Sequence, residues 1–152
     1  MDRRTFLAAA LATTAVPAIA SAQAFEITRT PAEWRAMLTD AEYRVMRQEG
    51  TERAFSSPLD KNFQPGTYYC RGCGLALYPS RTKYDSGTGW PSFYAAFEGA
   101  IGTRVDRKLL SARTECHCRR CGSHLGHIFA DGPAPTGQRH CINGVALMFR
   151  AS

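Results

Sequence analysis

The hydrophobic pattern divides the chain into three regions. An apolar run from Phe6 to about Ala20 comes first. Two helix-start signals follow between Thr30 and Gly50, and from Phe55 onward short apolar runs alternate with glycine-containing turns. Short runs between such turns are typical of strands. The pattern therefore predicts two short helices followed by a mainly β domain.

Each predicted helix begins with a capping box, in Thr30-Pro31-Ala32-Glu33 and again in Thr39-Asp40-Ala41-Glu42. Pro31 suits the first helical position, and Gly50 is expected to stop the second helix. The residues expected to be buried on these helices are Trp34, Met37, Tyr43, Val45 and Met46. The candidate strands are Gly66–Tyr69, Ala76–Tyr78, Ser92–Ala96, Leu109–Glu115, His127–Phe129 and Gly144–Phe149.

The first apolar run has the features of an export signal. Charged residues 2–4 precede it, and it is shorter than the ~20 apolar residues of a membrane-spanning helix. Ala22-Gln23-Ala24 offers an A-x-A cleavage site, and Arg3-Arg4-Thr5-Phe6-Leu7 is similar to a twin-arginine signal. We expect residues 1–24 to be a cleaved signal peptide and 25–152 a periplasmic or otherwise exported domain without stable membrane insertion. An uncleaved amphipathic anchor is the alternative.

Length and charge limit the function classes. A mature chain of this length supports one domain with a modest core. The net charge of +6 is moderate. Its basic residues are scattered and form no run like a nucleic-acid arm, so we predict a solvated surface and no nucleic-acid partner.

Four of the six cysteines form two C-x2-C pairs, Cys70 with Cys73 and Cys118 with Cys121. A tight turn aims both thiolates of a pair at one point, and two pairs complete the four-sulfur shell that structural zinc prefers. We predict one structural Zn²⁺ per chain. Two disulfides are the alternative in an exported protein. A disulfide across C-x2-C, however, closes a very small loop and adds little stability.

The remaining motifs complete a family resemblance. They are KYDSGTGWPSF (Lys83–Phe93), HLGHIF (His124–Phe129) and DGPAPTGQRHCIN (Asp131–Asn143). Together with the cysteine pairs they resemble the peptide-methionine (R)-S-oxide reductases, the type B methionine sulfoxide reductases, from about Thr30 to Phe149. The resemblance implies a β-tent-like fold of two antiparallel sheets with short N-terminal helices, and a zinc site far from the chemistry.

The resemblance implies that Cys141 is the nucleophile. A thiolate can attack the electrophilic sulfur of a methionine sulfoxide while an acid protonates the oxygen, which leaves a sulfenic acid on the cysteine. Such a site needs a thiol of low pKa, an acid and an apolar slot for the methyl group. In an extended strand Arg139 and Asn143 share the face of Cys141. Arg139 would stabilise the thiolate, and Asn143 would hydrogen-bond the sulfoxide region.

The family motifs assign four further roles. His127 would handle the sulfoxide oxygen and His124 would assist it, although either could be a structural histidine. Trp90 would form the methyl slot, with an indole face against the methyl group, and Phe129 would line the same pocket. His140 faces away from Cys141 in an extended strand and is interpreted as a spacer.

The sequence departs from the family pattern at one position. Many members carry a resolving cysteine where this chain has Thr88, and a threonine hydroxyl cannot form a disulfide with a sulfenic acid. The sixth cysteine, Cys116, has three interpretations: an inert core thiol, a substitute resolving cysteine or an alternative metal ligand. If Cys116 is inert, an external thiol donor such as a thioredoxin-like protein must reduce Cys141.

Three functions compete at this stage. The favoured one is a monomeric, zinc-stabilised enzyme that repairs methionine (R)-sulfoxide in oxidised proteins. A non-catalytic zinc-binding interaction module would leave the motifs around Cys141, His124 and Trp90 unexplained. A thiol–disulfide oxidoreductase using C-x2-C as its redox motif would not explain two such pairs and lacks the usual βαβ context.

Overall fold

The computed structural model describes residues 24–152, so the predicted export signal lies outside the described residues except for Ala24. Within this range, helices Pro31–Met37 (α1) and Asp40–Gln48 (α2) precede nine strands. The strands are Gly66–Cys70 (β1), Ala76–Pro79 (β2), Lys83–Tyr84 (β3), Ser92–Phe93 (β4), Ile101–Asp106 (β5), Arg113–Cys118 (β6), His124–Phe129 (β7), Arg139–Ile142 (β8) and Leu147–Ala151 (β9). Over residues 24–152, no helix combines the length and the apolar character that crossing a membrane requires.

Both helices begin as predicted. The Thr30 and Thr39 hydroxyls each accept a hydrogen bond from the backbone three residues on, and the glutamates at those positions bond back. The prediction for Met37 is wrong, since its side chain is 52% exposed and Leu38 is buried instead. The second helix ends before the predicted glycine, because Glu49 itself adopts the left-handed conformation with φ 54°.

The nine strands form two antiparallel sheets, as the family resemblance implied. The smaller has the order β2-β1-β9 and the larger β3-β4-β8-β7-β6-β5. Aromatic side chains connect the sheets: Tyr68 of β1 and Tyr78 of β2 pack against Phe93 of β4, with ring centroids 5.0 and 4.3 Å apart. The core therefore lies between the two sheets and fixes how β4 is placed.

One predicted strand is misplaced and others have shifted ends. The segment Leu109–Glu115 contains the tip of a hairpin, where Leu109 and Leu110 are exposed, and the strand runs over Arg113–Cys118 instead. Its side chains are mostly polar, yet four of its six residues are buried. A search for apolar runs therefore misplaced this strand, because its buried side chains are polar and bond to polar partners.

The other differences are smaller. Strand β4 is only two residues long, and Gly144–Ala146 forms a 3-10 turn ahead of β9. Strand β5, absent from the candidate strands, lies at the edge of the larger sheet and is mostly exposed. An edge strand of this kind leaves little hydrophobic pattern in the sequence.

Candidate active site

Strand pairing brings Cys141 and His127 together. In the larger sheet, Cys141 of β8 pairs with Ser92 of β4 on one side and with His127 of β7 on the other. His127 in turn pairs with Glu115 of β6. Residues directly opposite each other in antiparallel strands present their side chains on the same face. The predicted nucleophile and the predicted acid are therefore immediate neighbours.

A bulge places His124 on this face as well. Residues three apart in a regular strand point to opposite faces. Here the register of β6 with β7 shifts between Cys116 and His117, so that His117 pairs with His124 and Leu125 is passed over. A bulge re-aims side chains in this way. The rings of His124 and His127 consequently lie 5.4 Å apart, centroid to centroid.

Cys141 and His127 border one small cavity of about 130 Å³. That volume suits a single side chain rather than a drug-sized ligand, whose pockets measure about 300–1,000 Å³. The lining residues are Thr51, Trp90, Arg113, Gly126, His127, Phe129, Cys141 and Asn143. Five residues predicted from the sequence thus meet in one pocket, while His124 and Arg139 lie outside its lining.

The Cys141 thiol is half-buried, and its pKa differs from the expectation. Burial raises the pKa above the ordinary value of a cysteine; the Thr88 hydroxyl, 3.9 Å from the sulfur, and the Arg139 charge lower it without cancelling the increase. The low pKa predicted for this thiol is therefore wrong for the free protein. The resting site holds a protonated sulfur.

His127 is oriented by a carboxylate. Its Nε2 atom lies 2.8 Å from Asp106 Oδ2, which also accepts a hydrogen bond of 2.7 Å from Arg113. The backbone N–H of Lys108, His127 and Arg113 together hold the pKa of Asp106 well below its usual range. Burial, against the opposing effect of Asp106, lowers the pKa of His127. The Nδ1 atom is thus left for the cavity, on a ring that is neutral at rest.

Glu115 anchors the second histidine behind the first. Its carboxylate lies 2.7 Å from His124 Nδ1, 2.9 Å from His117 Nδ1 and 3.1 Å from Arg104 Nε. Burial raises the pKa of Glu115, but these partners outweigh burial and lower it to about 2. His124 is only 2% exposed. It does not line the cavity and contacts the ring of His127 instead.

Arg139 is committed to partners other than the sulfur. Its guanidinium makes a two-point ion pair with Asp131, with both N–O distances 2.9 Å, and stacks 4.4 Å from the centre of the Phe129 ring. Such paired hydrogen bonds fix the plane of a guanidinium. Arg139 therefore holds Phe129 against the cavity and contributes its charge to Cys141 from the side.

Asn143 is also held firmly. Its Oδ1 atom accepts a hydrogen bond of 2.9 Å from the backbone N–H of Glu52, and its Nδ2 donates one of 2.9 Å to the Leu125 carbonyl. An amide nitrogen carries two hydrogens. One remains for a group in the cavity.

The two C-x2-C pairs form a separate cluster. The four sulfur atoms lie within 4.8 Å of one another, with 3.7 Å between Cys70 and Cys121 and 3.5 Å between Cys73 and Cys118. Tetrahedral zinc with Zn–S bonds of about 2.3 Å places its sulfurs about 3.8 Å apart. The donor set and spacing therefore fit zinc, and all four cysteines are free thiols rather than disulfides.

Cys116 and His140 lie on the opposite face of the larger sheet. The Cys116 sulfur is fully buried 3.5 Å from the Tyr78 hydroxyl, outside the four-sulfur cluster, and its pKa is raised to about 12 by burial. His140 Nδ1 lies 3.1 Å from the same hydroxyl. This geometry favours the inert core thiol among the three interpretations of Cys116, and His140 points away from Cys141 as expected.

Sequence reasoning missed several residues around the cavity. Arg113 is one of the scattered basic residues expected at the solvated surface, and Thr51 belongs to no motif. Gly126 is required by close packing, since a Cβ there would come within 2.0 Å of the Cys141 carbonyl oxygen. Gly126 lies within the H-x-x-H motif, so the sequence did contain a signal for this position. No neighbouring residues in the sequence indicated that Arg113 or Glu52 lies near the cavity.

Comparison with known proteins agrees with this geometry. The SelR domain model matches residues 38–151. A peptide methionine sulfoxide reductase MsrB of Leptospira interrogans is 47% identical over 127 residues, covering 83% of this chain and 97% of the relative. Proteins of the same name from Methanosarcina barkeri (49% over 125 residues, 82% and 88% covered) and Thiobacillus denitrificans (50% over 122 residues, 80% and 92% covered) are similar.

The sheets, the cavity and the cysteine cluster define a thiol-based oxidoreductase fold of the SelR type. The match covers most of the chain, and the relatives align over nearly their whole length. The chain therefore belongs to the SelR domain family, as the motifs around Cys141 indicated.

Proposed function

We propose that this protein reduces methionine (R)-sulfoxide in oxidised proteins to methionine, with Cys141 as the nucleophile. The observation that carries the proposal is the convergence of the Cys141 thiol, the His127 imidazole and the Trp90 and Phe129 rings on one cavity of side-chain size. The family relatives named as peptide methionine sulfoxide reductases support the reaction type.

The proton balance of the reaction fits the resting site. The thiol proton of Cys141 passes to His127 Nδ1, and the imidazolium donates it to the sulfoxide oxygen as the sulfur is attacked. A bond first forms between the two sulfurs. The protonated oxygen then moves to Cys141: an S–O bond forms there while the S–S bond and the substrate's S–O bond break, which releases methionine and leaves a sulfenic acid on Cys141. Methionine sulfur gains the two electrons that Cys141 loses. No outside proton is needed, so a neutral thiol and a neutral imidazole are the right starting pair.

The cavity walls bind the substrate. Trp90 and Phe129 offer aromatic faces to the methyl group, whose partial positive charge the ring faces favour. The free Nδ2 hydrogen of Asn143 donates to the sulfoxide oxygen. Arg139 keeps the Phe129 ring in place through its ion pair with Asp131. The preference for the R epimer follows from the family resemblance.

An external thiol regenerates the enzyme. Thr88 stands beside Cys141 where a resolving cysteine would be needed, and Cys116 is buried on the other face of the sheet. A thiol donor of the thioredoxin class first forms a mixed disulfide with Cys141 and releases water. Its second thiol then frees Cys141 and leaves the donor oxidised.

We further propose one structural Zn²⁺ bound by Cys70, Cys73, Cys118 and Cys121. When bound, the ion supplies cross-linking and no chemistry. Cys70 is the last residue of β1 in the smaller sheet and Cys118 is the last residue of β6 in the larger one, so the bound ion would tie the two sheets together. Export of the mature domain 25–152 is also proposed, from the sequence of residues 1–24.

The function is tested with a peptide that contains methionine sulfoxide, prepared separately as the R and the S epimer. Wild type and Cys141→Ser are mixed with each epimer, and methionine formation is measured in a single turnover. Wild type should reduce the R epimer only, and Cys141→Ser should be inactive while it stays folded and metal-loaded. Equal activity of the two proteins would refute the assignment of Cys141.

A further inference from the structure

We propose that Glu52 is a positioning residue, which fixes Trp90 and Asn143 in the cavity that Cys141 lines. The inference rests on the proposed function, because it concerns how the substrate is held during sulfoxide reduction. Glu52 lies 91 positions before Asn143 in the chain, and neither a motif nor a family feature in the sequence pointed to it.

Four hydrogen bonds connect Glu52 to the site. Its backbone N–H donates to Asn143 Oδ1 at 2.9 Å, and its carbonyl accepts the Trp90 indole N–H at 3.1 Å. Its carboxylate accepts the backbone N–H groups of Gly144 at 2.5 Å and Val145 at 3.1 Å. One residue therefore contacts the two side chains proposed to hold the methyl group and the oxygen of the substrate.

The carboxylate replaces a cap that Asn143 would otherwise provide. Asn143 is the N-cap residue of the 3-10 turn Gly144–Ala146, a position where asparagine usually bonds the following N–H groups with its own side chain. Here its side chain makes no such bond, and Glu52 supplies both acceptors. The carboxamide of Asn143 is thereby released to the cavity.

The geometry of the contact favours a carboxylate. Glu52 is 6% exposed and has no ion-pair partner within residues 24–152. A buried carboxylate without a cation is costly, so a simple spacer would be better served by an apolar residue. The two backbone N–H groups bond different carboxylate oxygens, and a carboxamide of the same shape would turn its NH2 group, which cannot accept, towards one of them.

The test compares Glu52→Gln with Asp60→Asn. Asp60 is 5% exposed and does not line the cavity, so its variant controls for the loss of a buried carboxylate. We expect the single-turnover rate with the R-sulfoxide peptide to fall roughly 10- to 100-fold in Glu52→Gln, as small misplacements of reacting groups do. Asp60→Asn should keep the wild-type rate, and Cys141 alkylation should be unchanged in both.

A double-mutant cycle separates positioning from general damage. Because Glu52 acts partly through Asn143, Glu52→Gln should slow the Asn143→Ala variant by a smaller factor than it slows wild type, since that part of the interaction is already lost. The indole N–H signal of Trp90 in the ¹H–¹⁵N spectrum should also shift, while that of Trp34 stays. Should Glu52→Gln not fold, Glu52→Asp, which keeps both oxygens at shorter reach, takes its place in the cycle.

The outcomes are distinct. A folded Glu52→Gln with the wild-type rate, or one whose loss adds fully to that of Asn143→Ala, would overturn the positioning role. If wild type reduces neither epimer, the proposed function fails instead. In that case the Trp90 signal decides the positioning role by itself: a shift in Glu52→Gln supports the role, and an unmoved signal overturns it.

Discussion

His140 allows a quantitative test of the placement of β8. Its side chain is 4% exposed and contacts the Tyr78 hydroxyl at 3.1 Å and Gln138 Oε1 at 3.0 Å, with no carboxylate among its hydrogen-bond partners. Burial lowers its pKa to about 4, whereas a histidine in an unfolded chain has a pKa of about 6.5. The unfolded chain therefore takes up a proton at a higher pH than the folded protein does.

The sign of the effect follows from this difference. Since the folded pKa is depressed, the contribution of His140 to stability is present above pH ~6.5 and is lost as the pH falls towards ~4. The full shift corresponds to about 3 kcal/mol of unfolding free energy, and about 2 kcal/mol of it is lost between pH ~7 and ~5. That loss is a large fraction of the stability of a small domain.

His140→Tyr removes the titrating group and keeps an aromatic ring at the same place. Urea unfolding of both zinc-loaded proteins is measured at pH ~7 and ~5 under reducing conditions, so that protonation of the metal ligands affects them alike. Wild type should lose about 2 kcal/mol more than His140→Tyr over this interval. Single-turnover activity should not change, because the side chain lies on the face opposite Cys141. Equal losses in the two proteins would refute the buried placement of His140.

Three further predictions concern the cysteines. Thr88→Val removes the hydroxyl near Cys141, so the midpoint of the pH profile of Cys141 alkylation should rise. The alkylation rate at pH ~8 should fall roughly 2- to 10-fold. An unchanged midpoint would contradict the Thr88 contact. Cys116→Ala should keep multiple turnover with a dithiol and lose about 1–2 kcal/mol of stability by urea unfolding; intact single turnover with lost multiple turnover would identify a resolving cysteine instead. Cys73→Ser should bind less metal, measured as metal per chain, while Cys116→Ser should bind as much as wild type. Full metal content in Cys73→Ser would argue against the four-sulfur site.

Local signals in the sequence were reliable guides to local structure. The capping boxes of both helices depend only on neighbours a few residues away, and the structure confirms them. The glycines that follow the cysteine pairs, Gly74 and Gly122, have φ of 72° and 67°, a conformation that favours glycine. The cysteine pairs likewise predicted the four-sulfur cluster, because the spacing of each pair restricts where its two sulfurs point.

Features that depend on distant partners could not be predicted in this way. Strand β6 is buried although its residues are polar, because Glu115 finds His117, His124 and Arg104 only after β5, β6 and β7 have paired. The bulge that turns His124 towards His127 arises from the same pairing. The role of Glu52 depends on a contact 91 residues away. No pattern in a single sequence records such contacts.

The four-sulfur cluster and the candidate active site are connected through one hairpin. The turn that holds Cys118 and Cys121 joins β6 to β7, and these strands carry Glu115 and His127. The bulge that aligns His124 begins after Cys116, two residues before the first of these ligands. A register slip of one residue would turn every side chain of β7 to the other face, so an ion that clamps the turn also protects the alignment of the histidines. Metal removal should therefore reduce sulfoxide reduction at temperatures where the rest of the fold persists, although the ion takes no part in the chemistry.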